Sequence, residues 1–350
     1  MARNEVSTIR NLYRSCKLRI PPSPPRQQII GVTDLSMNEI KKILQNYDIK
    51  ETDQISLLRE SADNFVYLVG TNDKKILRVS KRLPIDDAKF EYDAVNHLSA
   101  GRMIVPKWLL TKTGDLYATI NGSVAVLFDF MAGHHIEVDK DHLPTKIQAY
   151  NAGKGLGIMS NASVGFKSSS PRKRNIYSEF ERVMALSKVF TEQFEGGSDF
   201  VQQVKDAIDF GKSQKEIEGF IHNDYRPGNV FFSDKDDFAG IIDFDWSCNG
   251  PIIKDLALAV AEWSFPDGRN EPDFVLFDSF LEGYNSVALS KCEKTGRLYS
   301  WIKFTTLSDA ATYFCDLAED PTLSKRIIKS YMYRKYVYFS NLDTDLLTSN

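Results

Sequence analysis

The sequence has no uninterrupted apolar run near the ~18 residues that a membrane-spanning helix requires. Its N-terminus also lacks the apolar stretch of a secretory signal. A membrane-embedded or secreted chain is therefore not expected, and the sequence reads as soluble and cytoplasmic. Cysteine is scarce: Cys16, Cys248, Cys292 and Cys315 stand apart, with no C-x-x-C and no Cys/His ligand spacing. That argues against a disulfide frame or a zinc site and for reduced thiols. Charge of one sign is lacking too, the net value being only −3. No global field draws the chain to nucleic acid or to an anionic membrane, and neither is expected as a partner. No G-x-G-x-x-G precedes a strand-like segment, and no internal repeat is visible.

What is present is the composition of an ordinary globular protein, 42% hydrophobic and 26% charged over 350 residues, enough for one large domain or two modest ones. The first 26 residues carry six Arg/Lys against one Glu and end in Pro-rich PPSPPR. Proline at that density favours an extended connection, so residues 1–30 are read as a solvated arm. From Ile55 to Val79 the alternation is β-like, with turn residues at Glu60–Asn64 and Gly70–Asp73, predicting three short antiparallel strands. A helix capped by Asp86 or Asp87, with Val95 and Leu98 on its apolar face, should follow. A buried strand is expected at Val124–Phe128. Beyond Asn175 the periodicity turns helical over Tyr177–Phe194, Phe200–Phe210, Ile252–Phe265 and Leu323–Phe339. The Ser- and Arg-rich segment Lys167–Arg174 reads as a solvated, mobile loop.

One interruption of the helical half carries most of the unusual polar groups. Ile221-His222-Asn223-Asp224-Tyr225-Arg226-Pro227-Gly228-Asn229 is followed, fourteen residues after Asn229, by Asp243 within Ile242-Asp243-Phe244-Asp245. Phosphoryl transfer needs a carboxylate to orient the attacking hydroxyl and accept its proton, and hard oxygen ligands to hold Mg²⁺ against the phosphates. Asp224 fits the first role, Asn229 and Asp243 the second. Pro227 and Gly228 shape the turn between Asp224 and Asn229, and a hairpin over Val230–Ile242 would bring Asp243 back to Asn229. His222 is expected either to brace this loop by hydrogen bonds or to react.

These motifs resemble the aminoglycoside phosphotransferase-like family, which includes choline kinases, type II homoserine kinases and hydroxylysine kinases and is distantly related to protein kinases. The resemblance spans roughly Ile55–Leu317. It implies an α+β fold of two lobes, a small antiparallel β N-lobe over residues 31–132 and a larger, mainly helical C-lobe over 133–345. It also implies an ATP- and Mg²⁺-dependent kinase acting on the hydroxyl of a small molecule, with Asp224 as base and Asn229 and Asp243 as metal ligands. Arg226 falls where many Ser/Thr kinases carry a lysine that contacts the transferred phosphate. Asp255, in KDLA, is expected as a structural brace. The family often has histidine where this chain has Ser160.

The N-terminal part supplies compatible pieces. Ile76 and Arg78 lie on one face of a strand by alternation, resembling the kinase strand that covers adenine and holds the α- and β-phosphates. Glu91 shares the inward face of the next helix with Val95 and Leu98 and needs a cationic partner, for which Arg78 is the natural choice. Ser61, in the turn that would stand in for a glycine-rich loop, is a phosphate-binding candidate. Asp129 and Met131, in Phe128-Asp129-Phe130-Met131, fall where the hinge binds adenine, with Gly133 opening the second lobe. Residues 251–320 hold twelve Asp/Glu against six Lys/Arg, a balance that favours a cationic acceptor such as an amino alcohol or an aminoglycoside. Trp246 and Trp263 are read as amine contacts or as core. Two alternatives are a nucleotide-binding pseudokinase without turnover and a protein kinase. No A-P-E segment or long activation loop supports the latter.

Overall fold

The computed structural model describes residues 35–49, 54–60, 64–81, 85–139, 141–170, 172–266, 269–318, 320, 327 and 330–342. The basic arm and Ser61 lie outside the described residues.

The first helix, α1 (Met37–Leu44), starts at a capping box. Ser36 Oγ accepts from the Glu39 amide at 3.3 Å, while Glu39 Oε2 accepts from the Ser36 amide at 2.8 Å. Strands β1 (Ile55–Glu60), β2 (Asn64–Val69) and β3 (Lys75–Ser80) follow as the three antiparallel strands expected. Helix α2 (Ile85–Ala100), β4 (Trp108–Leu109), β5 (Ala118–Ile120) and β6 (Ser123–Asp129) complete the N-terminal region. The sheet order is β1-β2-β3-β6-β4, with β5 on β6. Helix α2 begins at Ile85, so Asp86 and Asp87 lie in its first turn rather than at its cap.

Strand alternation gives the sheet two unlike faces. Phe65, Tyr67, Val69, Leu77, Val79, Ala125 and Leu127 bury one face under Ile40, Ile43, Leu44 and Tyr47. Val124, Val126, Phe128 and Ile76 cluster on the other with Ala88 of α2 and Trp108. Arg78 belongs to the second face by parity with Ile76, and its guanidinium lies 5.3 Å from the Phe128 ring centroid.

The connection from β6 runs through Gly133, whose φ of 121° is open to glycine but strained for other residues. A Cβ there would stand 2.6 Å from the Phe232 carbonyl oxygen. The mainly helical second part holds α3 (Lys146–Ser163), α4 (Ser178–Ala185), α5 (Ser187–Gln193), α6 (Gly197–Ser213), α7 (Ile252–Ser264), α8 (Phe274–Val287), α9 (Gly296–Leu317) and α10 (Tyr331–Ser340). Of the predicted segment Leu323–Phe339, residues 331–339 are helical and most of the preceding stretch lies outside the described residues. Between α6 and α7 run β7 (Glu218–Ile221), β8 (Val230–Phe232), β9 (Phe238–Ile241) and β10 (Cys248–Pro251), paired β7 with β10 and β8 with β9.

One large aromatic-rich core joins these helices. Trp263 is completely buried in it, edge-on to Phe232 and tilted against Phe280, so it is a packing residue and not an amine contact. Helices α3 and α8 approach closely enough to exclude side chains. A Cβ on Gly153 would lie 2.0 Å from the Phe280 carbonyl oxygen. That contact matters to the site, because the next carbonyl back, Ala152, accepts from the Tyr225 hydroxyl at 2.8 Å.

Candidate active site

The loop after β7 is anchored from below by a single carboxylate. Asp255, buried near the start of α7, accepts from the His222 amide on one oxygen and the Asn223 amide on the other, both at 2.8 Å. It is therefore the brace anticipated from KDLA. His222 points its Nε2 at the Ile242 carbonyl, 3.0 Å away, tying this loop to the strand end that precedes Asp243. Burial lowers its pKa, so the ring braces as a neutral donor. Asn223 takes a left-handed φ of 61°, which asparagine tolerates. Its side-chain oxygen accepts from the buried Lys254.

With the loop fixed, Asp224, Arg226 and Asn229 converge. Arg226 Nε donates to Asp224 Oδ1 at 2.5 Å, and Asn229 Nδ2 donates to Asp224 Oδ2 at 2.8 Å and to its carbonyl at 2.9 Å. Each carboxylate oxygen keeps a lone pair for a further donor. Burial, aided by Glu262, raises the Asp224 pKa against the opposing pull of Arg226, which leaves the carboxylate more basic than a solvated one.

The hairpin closes as its sequence requires: the Ile242 amide donates to the Asn229 carbonyl at 3.0 Å. That places Asp243 beside Asn229, in a left-handed conformation at φ 69°. Burial first, then repulsion from Asp245 and Asp224, pushes the Asp243 carboxyl up to about 7.

From the sheet side, Arg78 makes a bidentate pair with Glu91 at 2.8 and 2.6 Å, as expected. Glu91 is 1% exposed. Burial pushes its carboxyl up, and Arg78 opposes that shift. The same guanidinium also reaches Asp245 at 2.6 Å, and Asn64 Nδ2 donates to the other Asp245 oxygen at 2.6 Å. Arg78 thus links the sheet, α2 and the segment after Asp243. Ile76 lies on the Arg78 face beside Phe128. The Asp129 side chain pairs with Lys75 at 3.1 Å, and its amide donates to the Lys107 carbonyl at 2.9 Å. Met131 is half-buried against Gly240.

Asn229 and Asp243 suit Mg²⁺ on the chemistry of the donor set. Asn229 commits its amide hydrogens to Asp224, which leaves its carbonyl oxygen for a cation. The mutual repulsion of Asp243, Asp245 and Asp224 is what a divalent ion would relieve. Among the described residues no three His, Cys, Asp or Glu side chains form a ready metal cage. Mg²⁺ takes one or two carboxylates and completes its shell with phosphates and water.

Sequence reasoning missed several participants. Asp245 sat inside the quoted motif without a role, and Asn64 borders the expected phosphate turn. Glu262 and Asp309 gave no local signal beyond the acidic balance of the region. Lys335 Nζ donates to Glu262 at 2.7 Å, and Arg226 lies 3.9 Å from the other Glu262 oxygen. Burial works against Glu262, yet Lys335 and Arg226 hold its pKa down. Burial and then Glu262 push Asp309 up to about 7. The segment 167–174 is not a free solvated loop. Arg172 is buried, Arg174 stacks 4.0 Å over the Trp246 ring, and Ser168 Oγ donates to Asp93 at 2.8 Å.

The chain is similar in sequence and in fold to known small-molecule kinases. Homoserine kinase of Agrobacterium fabrum is 29% identical over 277 residues, 75% of this chain and 80% of that protein. Homoserine kinase of Phenylobacterium zucineum is 29% identical over 273 residues, with the same coverage. Among solved structures, a microcompartment-associated aminopropanol kinase superposes with a TM-score of 0.64 at 20% identity, over 87% of this chain and 97% of that one. A choline kinase from Cryptosporidium parvum gives 0.60 at 13% identity, over 89% and 97%. These neighbours establish the two-lobed protein-kinase-like α+β fold. Residues 54–289 match the phosphotransferase enzyme family, and the chain belongs to that family.

Proposed function

We propose that this chain transfers the γ-phosphoryl group of Mg·ATP to the hydroxyl of a small amine-bearing alcohol. The observation that carries this reading is the 2.6 Å contact between Arg78 and Asp245. It brings the cation of the sheet within one ion pair of the segment holding Asp243, and through Asn229 of Asp224. On this reading Arg78, oriented by Glu91, holds the α- and β-phosphates, and Ile76 lies against adenine. Asn229 and Asp243 hold Mg²⁺, which when bound offsets charge on the β- and γ-phosphates. Asp224 orients the acceptor hydroxyl and takes its proton as the new P–O bond forms. Arg226 holds Asp224 in place and stands beside the transferred phosphoryl group.

Beyond Arg226, Glu262 is ion-paired with Lys335, and burial together with Glu262 pushes Asp309 up to about 7; an ammonium group on the acceptor beside Asp309 would favour its charged form. The relatives' substrates agree in chemistry: homoserine and aminopropanol both join an amine to an aliphatic hydroxyl. The pseudokinase alternative has no support from these comparisons. Cys248, Cys292 and Cys315 are buried, and a cytoplasmic setting belongs to the same proposed reading. No helix among the described residues is long and apolar enough to cross a membrane.

The test is ADP release by the purified chain with homoserine, 1-amino-2-propanol, choline, aminoglycosides and amine-free diols. Amine-bearing acceptors should stimulate release, and Glu262→Gln should raise KM for them more than it lowers kcat. Equal stimulation by amine-free diols would refute the acceptor assignment, and no ATP turnover with any acceptor would refute the activity.

A further inference from the structure

The segment joining α3 to α4 reads as solvent-facing from its Ser/Arg composition, yet it carries one of the least exposed cations in the molecule. The Arg172 side chain is 2% exposed. Its Nη1 donates to the Phe244 carbonyl at 3.1 Å, the Ser247 carbonyl at 2.9 Å and Ser247 Oγ at 3.2 Å. Its Nε lies 3.2 Å from Asp87 Oδ2, and the guanidinium sits 5.8 Å from the Phe90 ring centroid. Phe244 and Ser247 follow Asp243 in the chain. Asp87 and Phe90 belong to α2, the helix that carries Glu91.

We propose that Arg172 is a positioning residue that locks the segment after Asp243 against α2, so that the metal-binding side and the Arg78–Glu91 pair keep a fixed separation. The inference rests on the function proposed above. A left-handed conformation, φ 69° at Asp243, is held where its surroundings favour it over the ordinary backbone wells. The Phe244 carbonyl accepts from the Ser247 amide at 3.1 Å and from Ser247 Oγ at 2.6 Å, so Arg172 clamps a turn already closed on itself, and it donates as well to the buried Ser247 carbonyl at 2.9 Å. One planar guanidinium supplies directed donors to both and an ion pair to α2 at once; an ammonium group does not reproduce that fork. The same segment grips both partners at further points. Arg174 covers Trp246, and Ser168 Oγ and the Ser169 amide donate to Asp93 of α2.

The experiment is calorimetric titration of the full chain with AMP-PNP, with and without Mg²⁺, below the thermal transition of each variant. Arg172→Lys and Arg172→Gln should both weaken the Mg²⁺-dependent gain in affinity by about tenfold or more, the scale on which small misplacements act. Asp87→Asn, which releases only the α2 end, should lose affinity in the same direction by less. Wild-type Mg²⁺ dependence in Arg172→Lys, with only a lower melting temperature, would overturn the proposal. Asp243→Ala separates the two failures. If it leaves Mg²⁺ dependence intact, the metal site itself is misassigned. If it abolishes that dependence while Arg172→Lys keeps it, Arg172 alone is misassigned.

Discussion

Replacing Asp224 with Asn changes one charge and one hydrogen-bonding atom, and the structure says what each is worth. Asp224 accepts from Arg226 on one oxygen and from Asn229 on the other. A carboxylate accepts on both sides, whereas a carboxamide presents one acceptor and one NH₂, so one of the two donors must face another donor. Losing one charge-assisted hydrogen bond costs about 1.5–3 kcal/mol. Part of that is offset, because burial raises the Asp224 pKa and removing its charge relieves desolvation. A net loss of stability of about 1–2 kcal/mol is expected. The catalytic loss is larger: a general base contributes ~10² to 10⁴ in rate, about 3–5 kcal/mol of barrier. Since Arg78, Glu91 and Asp243 are untouched and Asn229 keeps its bond to the Asp224 backbone carbonyl, Mg·ATP affinity should stay within about threefold, under 1 kcal/mol. The assay pairs calorimetric nucleotide affinity with acceptor-dependent ADP release on protein shown to be folded by its melting curve. Turnover above about a tenth of wild type would refute the assignment of Asp224 as base. Loss of nucleotide binding together with turnover would instead place Asp224 in the metal site.

In a double-mutant cycle over Arg78→Met and Glu91→Gln, nucleotide affinity should show coupling of about 0.5–3 kcal/mol, and strict additivity would separate the two residues. Gly153→Ala should lower stability by about 1–3 kcal/mol in thermal unfolding, because the new methyl meets the Phe280 backbone at 2.0 Å. Gly296→Ala, whose Cβ meets nothing within 4 Å, should not. Burial holds the His135 imidazole down to about 4 from its ordinary 6.5. Between those values the unfolded chain binds the extra proton, so lowering the pH from about 6.5 to about 4 should cost up to about 3 kcal/mol. The stability of His135→Phe should depend less on pH over that window, and a parallel profile would exclude His135 as the cause.

Much of this protein is written in local sequence. The alternation over Ile55–Val79 set the strands and the common face of Ile76 and Arg78. The run from His222 to Asn229, with Asp243 fourteen residues on, announced the loops that converge around Asp224. Four helices, α1, α3, α8 and α9, were not singled out by that reading, and for two of them a start signal was present. The capping boxes Ser36-x-x-Glu39 and Thr145-x-x-Gln148 open α1 and α3, but α1 is short and α3 is rich in glycine, which weakens a propensity argument.

What only the tertiary structure decided are partnerships between distant residues. Arg78 meets Asp245 across 167 positions, Lys335 meets Glu262 across 73, and Arg172 reaches Phe244 across 72. Composition marked segment 167–174 as solvated because Ser and Arg are usually exposed. In the fold, the carbonyls of Phe244 and Ser247 and a carboxylate on α2 face Arg172 there, and desolvation is repaid by bonds no local pattern encodes. Periodicity assigns a side chain to a face; chain topology, by closing loops of seventy residues and more, determines what that face meets.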